Sequence, residues 1–151
     1  MKFWLTIFML LCLLGNFYVS SANLNNSSSD RVKQSSLTKG KPMTSKNGKY
    51  WAIIQNDGNF AIYSSKSINK KGFDNVIWST KLGKISGETR LVMRADGNLV
   101  LLDKNNKEIW STNTAKKGKA PYSVIMQNDG NLVLYSSEGK KLWESNTAGK
   151  L

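Results

Sequence analysis

The feature that most constrains the fold of this chain is a nine-residue segment that occurs three times. It reads QNDGNFAIY at residues 55–63, RADGNLVLL at 94–102 and QNDGNLVLY at 127–135. A tryptophan follows each copy, at Trp78, Trp110 and Trp143. Self-similarity at a period of roughly 20–50 residues indicates that each repeat is one supersecondary unit, stacked on its neighbours. The sequence therefore predicts three equivalent units with threefold internal symmetry.

The pattern around each Asp-Gly pair is that of a β-hairpin. Apolar and polar residues alternate with period two on both sides of the pair, and helical spacing is absent. We predict an all-β fold in which each unit is a hairpin followed by a short third strand that carries the tryptophan. Residues 67–75 (SINKKGFDN) lengthen the first unit. Residues 36–51 are expected to supply its leading strand, with a turn at Asn47-Gly48.

The length of the hairpin loop decides which side chains share a face. A two-residue Asp-Gly loop would place Gln55 opposite Phe60 and mix polar with apolar residues on one face. A three-residue loop, with Gly58 in a left-handed bulge position, instead pairs Gln55 with Asn59 and leaves the opposite face wholly apolar. The third unit sorts in the same way. We therefore predict a three-residue loop, with the apolar face turned to the core.

The other face of the first and third hairpins carries amides, a turn carboxylate, a small apolar residue and a phenol. Such a set suits a vicinal diol, because the carboxylate accepts hydrogen bonds from hydroxyls and the amides both donate and accept them. The predicted site residues are Gln127, Asp129, Asn131, Val133 and Tyr135 in the third unit and Gln55, Asp57, Asn59, Ala61 and Tyr63 in the first.

The middle unit separates the turn from the site. Its equivalent residues are Arg94, Asp96, Asn98, Val100 and Leu102. Asp-Gly-Asn is kept, as turn chemistry requires, but the amide and the phenol are absent. We therefore predict a degenerate site there.

The three tryptophans are assigned to structure rather than to binding. Trp78, Trp110 and Trp143 occupy equivalent places, each after an isoleucine or a leucine. We expect them to pack together as a core at the pseudo-threefold centre, since large aromatic rings dominate the burial of apolar surface.

The first 22 residues are typical of a secretory signal peptide. Lys2 precedes the apolar run Phe3–Leu14, and small residues lie at Ser20–Ala22, so cleavage is expected after Ala22. An uncleaved signal anchor is the alternative.

Residues 23–34 are predicted to be a flexible polar leader with overlapping glycosylation acceptors at Asn25 and Asn26. Residues 148–151 are expected to be a short tail, and the protein is expected to be secreted, with no transmembrane segment after the signal.

Composition excludes the usual metal and nucleophile constellations. The chain has no histidine, and its single cysteine, Cys12, lies in the signal segment. We therefore expect no metal, no cofactor and no enzymatic activity.

The net charge is +12, and lysines cluster at 66, 70 and 71, at 116, 117 and 119, and at 140 and 141. These residues suit either a solubilising surface or attraction to anionic surfaces. Nucleic acid is not an expected partner.

The segments QNDGNFAIY and QNDGNLVLY resemble the QxDxNxVxY mannose site of the bulb-type (monocot mannose-binding, snowdrop-agglutinin-like) lectins. The resemblance covers about residues 35–147, the predicted lectin domain, and implies a β-prism II fold. It implies that Asp129 and Asn131 bind the axial 2-hydroxyl of mannose, Gln127 the 3-hydroxyl and Tyr135 the 4-hydroxyl. Val133 would contact the ring, and Ala61 stands at the equivalent place in the first copy. The disulfide that plant members usually carry is missing.

The resemblance implies a secreted, metal-independent lectin that binds mannose-containing glycans on cell surfaces through several sites, in defence or agglutination. Whether it forms a homodimer stays open. The alternative is a cationic antimicrobial or surface-binding protein on the same scaffold, with weak or lost sugar binding.

Overall fold

The computed structural model describes residues 36–40, 42–64 and 75–150. The predicted signal peptide, the leader, its glycosylation acceptors and residues 67–74 of the insert lie outside the described residues. No helix occurs among the residues described, so none is long and apolar enough to cross a membrane. The strands are β1 (Ser36–Thr38), β2 (Met43–Thr44), β3 (Tyr50–Ile54), β4 (Phe60–Ser64), β5 (Val76–Ser79), β6 (Arg90–Met93), β7 (Leu99–Leu102), β8 (Glu108–Ser111), β9 (Ser123–Met126), β10 (Leu132–Tyr135) and β11 (Lys141–Glu144).

The strands form three antiparallel sheets, one for each repeat. Their orders are β2-β3-β4-β5, β1-β6-β7-β8 and β11-β10-β9. Each sheet contains a predicted hairpin and a third strand that carries the tryptophan, which confirms the expected unit. The prediction for residues 36–51 was correct only in part. Strand β2 leads the first unit, but β1 crosses to pair with β6 of the middle unit.

The hairpin loops have three residues, as predicted. In the first unit Ile54 pairs with Phe60, and the backbone N–H of Gln55 donates to the carbonyl of Asn59 (2.8 Å). The third unit repeats both features with Met126 and Leu132. The loop glycine has φ +86°, +86° and +91° in the three copies, a left-handed conformation that glycine adopts without steric cost.

The apolar faces of the three sheets meet in one core. Its fully buried members come from the predicted faces of every hairpin, among them Phe60, Leu99 and Leu132. Trp78, Trp110 and Trp143 are partly buried against this core. Their rings meet edge to face, with centroids 5.7–5.9 Å apart, so each tryptophan contacts the other two. The predicted tryptophan cluster is confirmed.

The hairpin loops interlock the units. A side chain from a neighbouring unit lies against each loop glycine, so closely that a Cβ atom there would lie 2.5–2.8 Å from it. The pairs are Gly58 with Ile85, Gly97 with Tyr122, and Gly130 with Tyr50. Because Tyr50 belongs to the first unit, the third pair closes the ring of repeats.

Candidate functional site

The third hairpin brings its predicted site residues together on the outer face of its sheet. Gln127 Nε2 donates to the Tyr135 hydroxyl (2.9 Å), which joins the amide to the phenol across the hairpin. Asp129 is exposed, and its Oδ1 accepts the backbone N–H of Asn131 (2.9 Å). The second carboxylate oxygen of Asp129 makes no hydrogen bond within the described part of the chain. Val133 lies between these polar groups and is 1% exposed. The result is a shallow polar surface around a small apolar floor.

The first hairpin repeats this arrangement at greater depth. Gln55 Nε2 donates to the Tyr63 hydroxyl, and Asp57 Oδ1 accepts the Asn59 N–H (3.0 Å). Tyr63 is only 1% exposed, so its phenol lies deeper in the protein than that of Tyr135, which is partly exposed. Trp51 stacks on the phenol ring with centroids 5.7 Å apart and planes at 10°. Burial raises the pKa of Tyr63, so its hydroxyl stays neutral and remains a donor at physiological pH.

A cleft of about 440 Å³ leads to the first site, with Gln55, Asp57 and Tyr63 among the residues lining it. Lys39 and Gly40, which follow β1, form part of its wall. The crossing of β1 to the middle unit is what brings this segment there. Access to the complete third copy of the motif and to the near-complete first copy therefore differs, although their sequences are nearly the same.

The asparagine of Asp-Gly-Asn has a structural role that the sequence analysis missed. In every unit its Oδ1 accepts a side-chain hydroxyl and a backbone N–H from the segment after the tryptophan, at 2.7–3.3 Å. The hydroxyl donors are Thr80, Thr112 and Ser145. Asn59 and Asn131 are 4% and 6% exposed. These residues are therefore mostly committed to holding the hairpin to its third strand. The sequence feature that could have predicted this role is the Ser or Thr that lies two residues after each tryptophan.

Glu144 lies at the third site and was not among the residues that the sequence analysis predicted there. It lies opposite Val133 in the β10–β11 pairing, and its Oε2 accepts from Asn131 Nδ2 (2.6 Å). Its other carboxylate oxygen forms an ion pair with Lys141. The ion pair with Lys141, and then the hydrogen bond from Asn131, lower the pKa of Glu144. The sequence feature that could have predicted this residue is a difference between the units: the first two have serine, Ser79 and Ser111, where the third has Glu144.

The middle hairpin lacks this polar surface, as predicted. Arg94 forms an ion pair with Glu108 (2.6 Å) instead of a contact across the hairpin. Leu102 is 6% exposed and packs with Val92 and Val100 in a separate apolar cluster. Asp96 and Asn98 retain only the turn and strand contacts seen in the other units.

None of the described residues forms a cluster of three or more acidic, histidine or cysteine side chains that could hold a metal ion.

Comparison with known proteins gives consistent matches. The profile of the D-mannose binding lectins matches residues 82–148. The B-type lectin plumieribetin from Scorpaena plumieri is 37% identical over 84 residues, which cover 56% of this chain and 66% of that protein. A mannose-specific lectin from Aloe arborescens is 30% identical over 78 residues, which cover 52% of this chain and 64% of that protein. The chain thus spans about two thirds of the length of these relatives.

Among solved structures, the fold is similar to the mannose-specific agglutinin of snowdrop (Galanthus nivalis) bulbs in complex with methyl-α-D-mannoside. The TM-score is 0.56 at 33% identity, and the match covers 74% of this chain and 90% of the agglutinin. This likeness confirms the predicted β-prism II fold.

Proposed function

Since the chain belongs to the family of B-type, D-mannose binding lectins, we propose that it binds mannose-containing glycans through its first and third hairpins. The observation that carries the proposal is the Gln–Tyr hydrogen bond across both of these hairpins beside a turn carboxylate. The middle hairpin, which lacks both side chains, is proposed not to bind. Family membership also supports the expectation that the chain is not an enzyme.

The third site has a role for each residue it brings together. The second oxygen of Asp129 accepts a hydrogen bond from a sugar hydroxyl. One hydrogen of Asn131 Nδ2 is bonded to Glu144, and the other donates to the oxygen of the same sugar hydroxyl. The Gln127–Tyr135 pair serves the next two hydroxyls, and Val133 lies under ring carbons. The first site uses Gln55, Asp57, Asn59, Ala61 and Tyr63 in the same roles.

Each site alone is weak. About four net hydrogen bonds of roughly 1 kcal/mol each give a dissociation constant near the millimolar range. Two sites on one chain raise avidity for a mannose-rich surface, by about 10² to 10⁴ when both engage. We therefore propose that the protein acts by multivalent binding and without metal, as a secreted protein. A homodimer would add further sites.

The test compares two tyrosine-to-phenylalanine variants. Tyr135→Phe removes the hydroxyl that Gln127 contacts and is expected to weaken methyl mannoside binding at the third site about fivefold, the equivalent of one net hydrogen bond of roughly 1 kcal/mol. NMR titration of residues near Tyr135 measures the affinity. Tyr122→Phe is the control, because the Tyr122 hydroxyl donates to the Gly118 carbonyl (2.5 Å), outside the site. Equal affinities for both variants, or no shift with the wild type, would refute the assignment.

The second candidate function is cationic surface binding, and the contact between two lysine-rich segments supports it. The lysine-rich segments 116–119 and 137–141 contact each other through Ser137 N–H and the Lys119 carbonyl (3.0 Å). Together they carry five lysines and one glutamate. Two of these lysines are ion-paired, Lys119 with Glu138 and Lys141 with Glu144, and the remaining positive charge is what the cationic surface-binding alternative requires. Binding to yeast mannan at high salt separates the two functions. Retention that free mannose abolishes supports the lectin, whereas release by salt without an effect of mannose supports the cationic alternative.

A further inference from the structure

The Asn47-Gly48 turn, which the sequence marks only as a hairpin turn, contacts the loop of the third site. The backbone N–H of Asn47 donates to Asn128 Oδ1 (2.9 Å), and Asn47 Nδ2 donates to the Asn128 carbonyl (2.9 Å). The two residues are 81 positions apart in the chain. Asn128 is the first residue of the loop Asn128-Asp129-Gly130. A two-point clasp therefore joins the tip of the β2–β3 hairpin to the loop that carries Asp129.

The clasp holds the peptide unit that precedes Asp129. The peptide unit that follows is held separately, because the Asp129 carbonyl accepts the N–H of Gly149 (2.7 Å). Both backbone flanks of the exposed Asp129 carboxylate are thus fixed by residues distant in sequence. The Asn131 N–H orients the carboxylate within the loop, and these two supports fix where the loop backbone places it.

Within the residues that the structure describes, the other two hairpin loops have only the second of these supports. The carbonyls of Asp57 and Asp96 accept the N–H groups of Ile85 (2.8 Å) and Lys116 (2.7 Å). At the place of Asn128, the first loop has Asn56, whose side chain makes no hydrogen bond within the part of the chain that is described. The middle loop has Ala95, which has no polar side-chain atom.

Asn47 is itself oriented before it reaches the loop. Its Oδ1 accepts the Ser45 hydroxyl (2.7 Å) and the Lys49 N–H (3.1 Å) of its own turn. With Oδ1 turned inward, Nδ2 faces outward to Asn128. The amide therefore links a rigid hairpin turn to the sugar loop.

We propose that Asn47 is a positioning residue of the third sugar site, acting through Asn128 to hold Asp129 in its binding orientation before the ligand arrives. Preorganisation strengthens binding because less ordering remains to be done. The loop of the third site is accordingly held at more points than the loop of the first. This inference rests on the proposed function.

The test measures methyl α-mannoside affinity from NMR shifts of residues near Tyr135, which report the third site, in a Gln55→Ala background that weakens the first site. Asn128→Ala reproduces the alanine of the middle loop, whereas Asn47→Asp keeps the Oδ1 acceptor and removes the Nδ2 donor. Each variant is expected to weaken methyl α-mannoside binding about three- to tenfold, because one side chain that is ordered in the wild type would then have to be ordered on binding. The double variant is expected to be little weaker than either single one, because both changes break the same clasp.

The matched control is Asn56→Ala in a Gln127→Ala background that weakens the third site, followed by NMR shifts of residues near Tyr63, which report the first site. Its affinity is expected to stay within about twofold of that background, since Asn56 has no clasp to lose. The Tm of Asn128→Ala and Asn47→Asp should fall by no more than about 3 °C, because both bonds of the clasp are exposed. An affinity loss without a Tm loss distinguishes positioning from damage to the fold.

Unchanged affinity in Asn128→Ala and Asn47→Asp, or an equal loss in Asn56→Ala, would overturn the inference and leave the proposed function standing. If the Gln55→Ala protein binds no mannoside, the third site as proposed is wrong and the inference falls with it.

Discussion

Asn131 serves both the fold and the proposed site. Its Oδ1 ties the third hairpin to the segment after Trp143, while its Nδ2 donates one hydrogen to Glu144 and retains another for a ligand. A substitution that removes the amide therefore changes stability as well as binding. Gln127 and Tyr135, which bond across the hairpin rather than to the core, are better sites for testing sugar recognition.

Asn131→Asp is expected to destabilise the protein more than Asn98→Asp. The first change places a carboxylate at the 2.6 Å contact with the Glu144 carboxylate and removes a donor, a cost of about 1–3 kcal/mol. Asn98 Oδ1 only accepts hydrogen bonds, and Asn98 Nδ2 donates none within the described residues, so aspartate can replace it at lower cost. Urea unfolding at pH 7 measures the two free energies. Equal losses would contradict the role assigned to Glu144.

Glu144 is expected to give the third unit a pH-dependent contribution to stability. Because its folded-state pKa is lowered, chiefly by Lys141, the contribution is present above the unfolded pKa of roughly 4.3 and is lost as pH falls through the folded value. The difference in unfolding free energy between wild type and Glu144→Gln should therefore shrink on acidification below about pH 5. Unfolding curves across this range provide the measurement, and a difference independent of pH would exclude the linkage.

At the level of elements, the three-residue loop joins neighbouring units as well as neighbouring strands. Its glycine permits the left-handed turn and also leaves space for a side chain of the next unit, such as Tyr50 against Gly130. The turn and the packing of the units therefore depend on the same residue. This double requirement explains why the middle hairpin keeps its glycine, Gly97, after losing the amide and the phenol of the polar set.

Gly130→Ala is expected to be far more destabilising than Gly139→Ala. Both glycines have positive φ, at +91° and +73°, so both changes carry a backbone cost of about 1 kcal/mol or more. Only at Gly130 would the new Cβ lie 2.5 Å from the Tyr50 ring, whereas Gly139 faces open space. Thermal unfolding of both variants gives the comparison. Similar Tm values would mean that the interlock between units contributes little.

At the scale of the molecule, three similar units produce two hairpins with the Gln–Tyr hydrogen bond of the proposed sites and one hairpin that lacks it. The units share one core and a tryptophan cluster, so the sites are held on one rigid scaffold at fixed separation. For the proposed lectin function, fixed separation would favour ligands that present several mannose residues. The unequal depth of Tyr63 and Tyr135 makes the two sites different in access.

Loss of either site is expected to reduce retention on a mannan surface far more than it reduces the affinity for free mannoside. Gln55→Ala and Gln127→Ala each weaken one site, so part of the avidity gain of about 10² or more is lost while the other site keeps its affinity. Surface plasmon resonance on mannan, together with NMR titration of the monosaccharide, measures both quantities. If the single-site variants were retained as strongly as the wild type, multivalent binding within one chain would be refuted.

The sequence by itself determined the three units, the loop length, the apolar face of each hairpin and the place of Trp78, Trp110 and Trp143. These features follow from alternation and from turn chemistry, which act between residues close in the chain. Only the tertiary structure decided that β1 joins the middle unit, that Tyr63 is buried, that Asn131 is bonded to Glu144 and that Asn47 reaches Asn128. Those contacts join strands or units whose mutual position depends on how the three sheets pack, and no local periodicity records that packing.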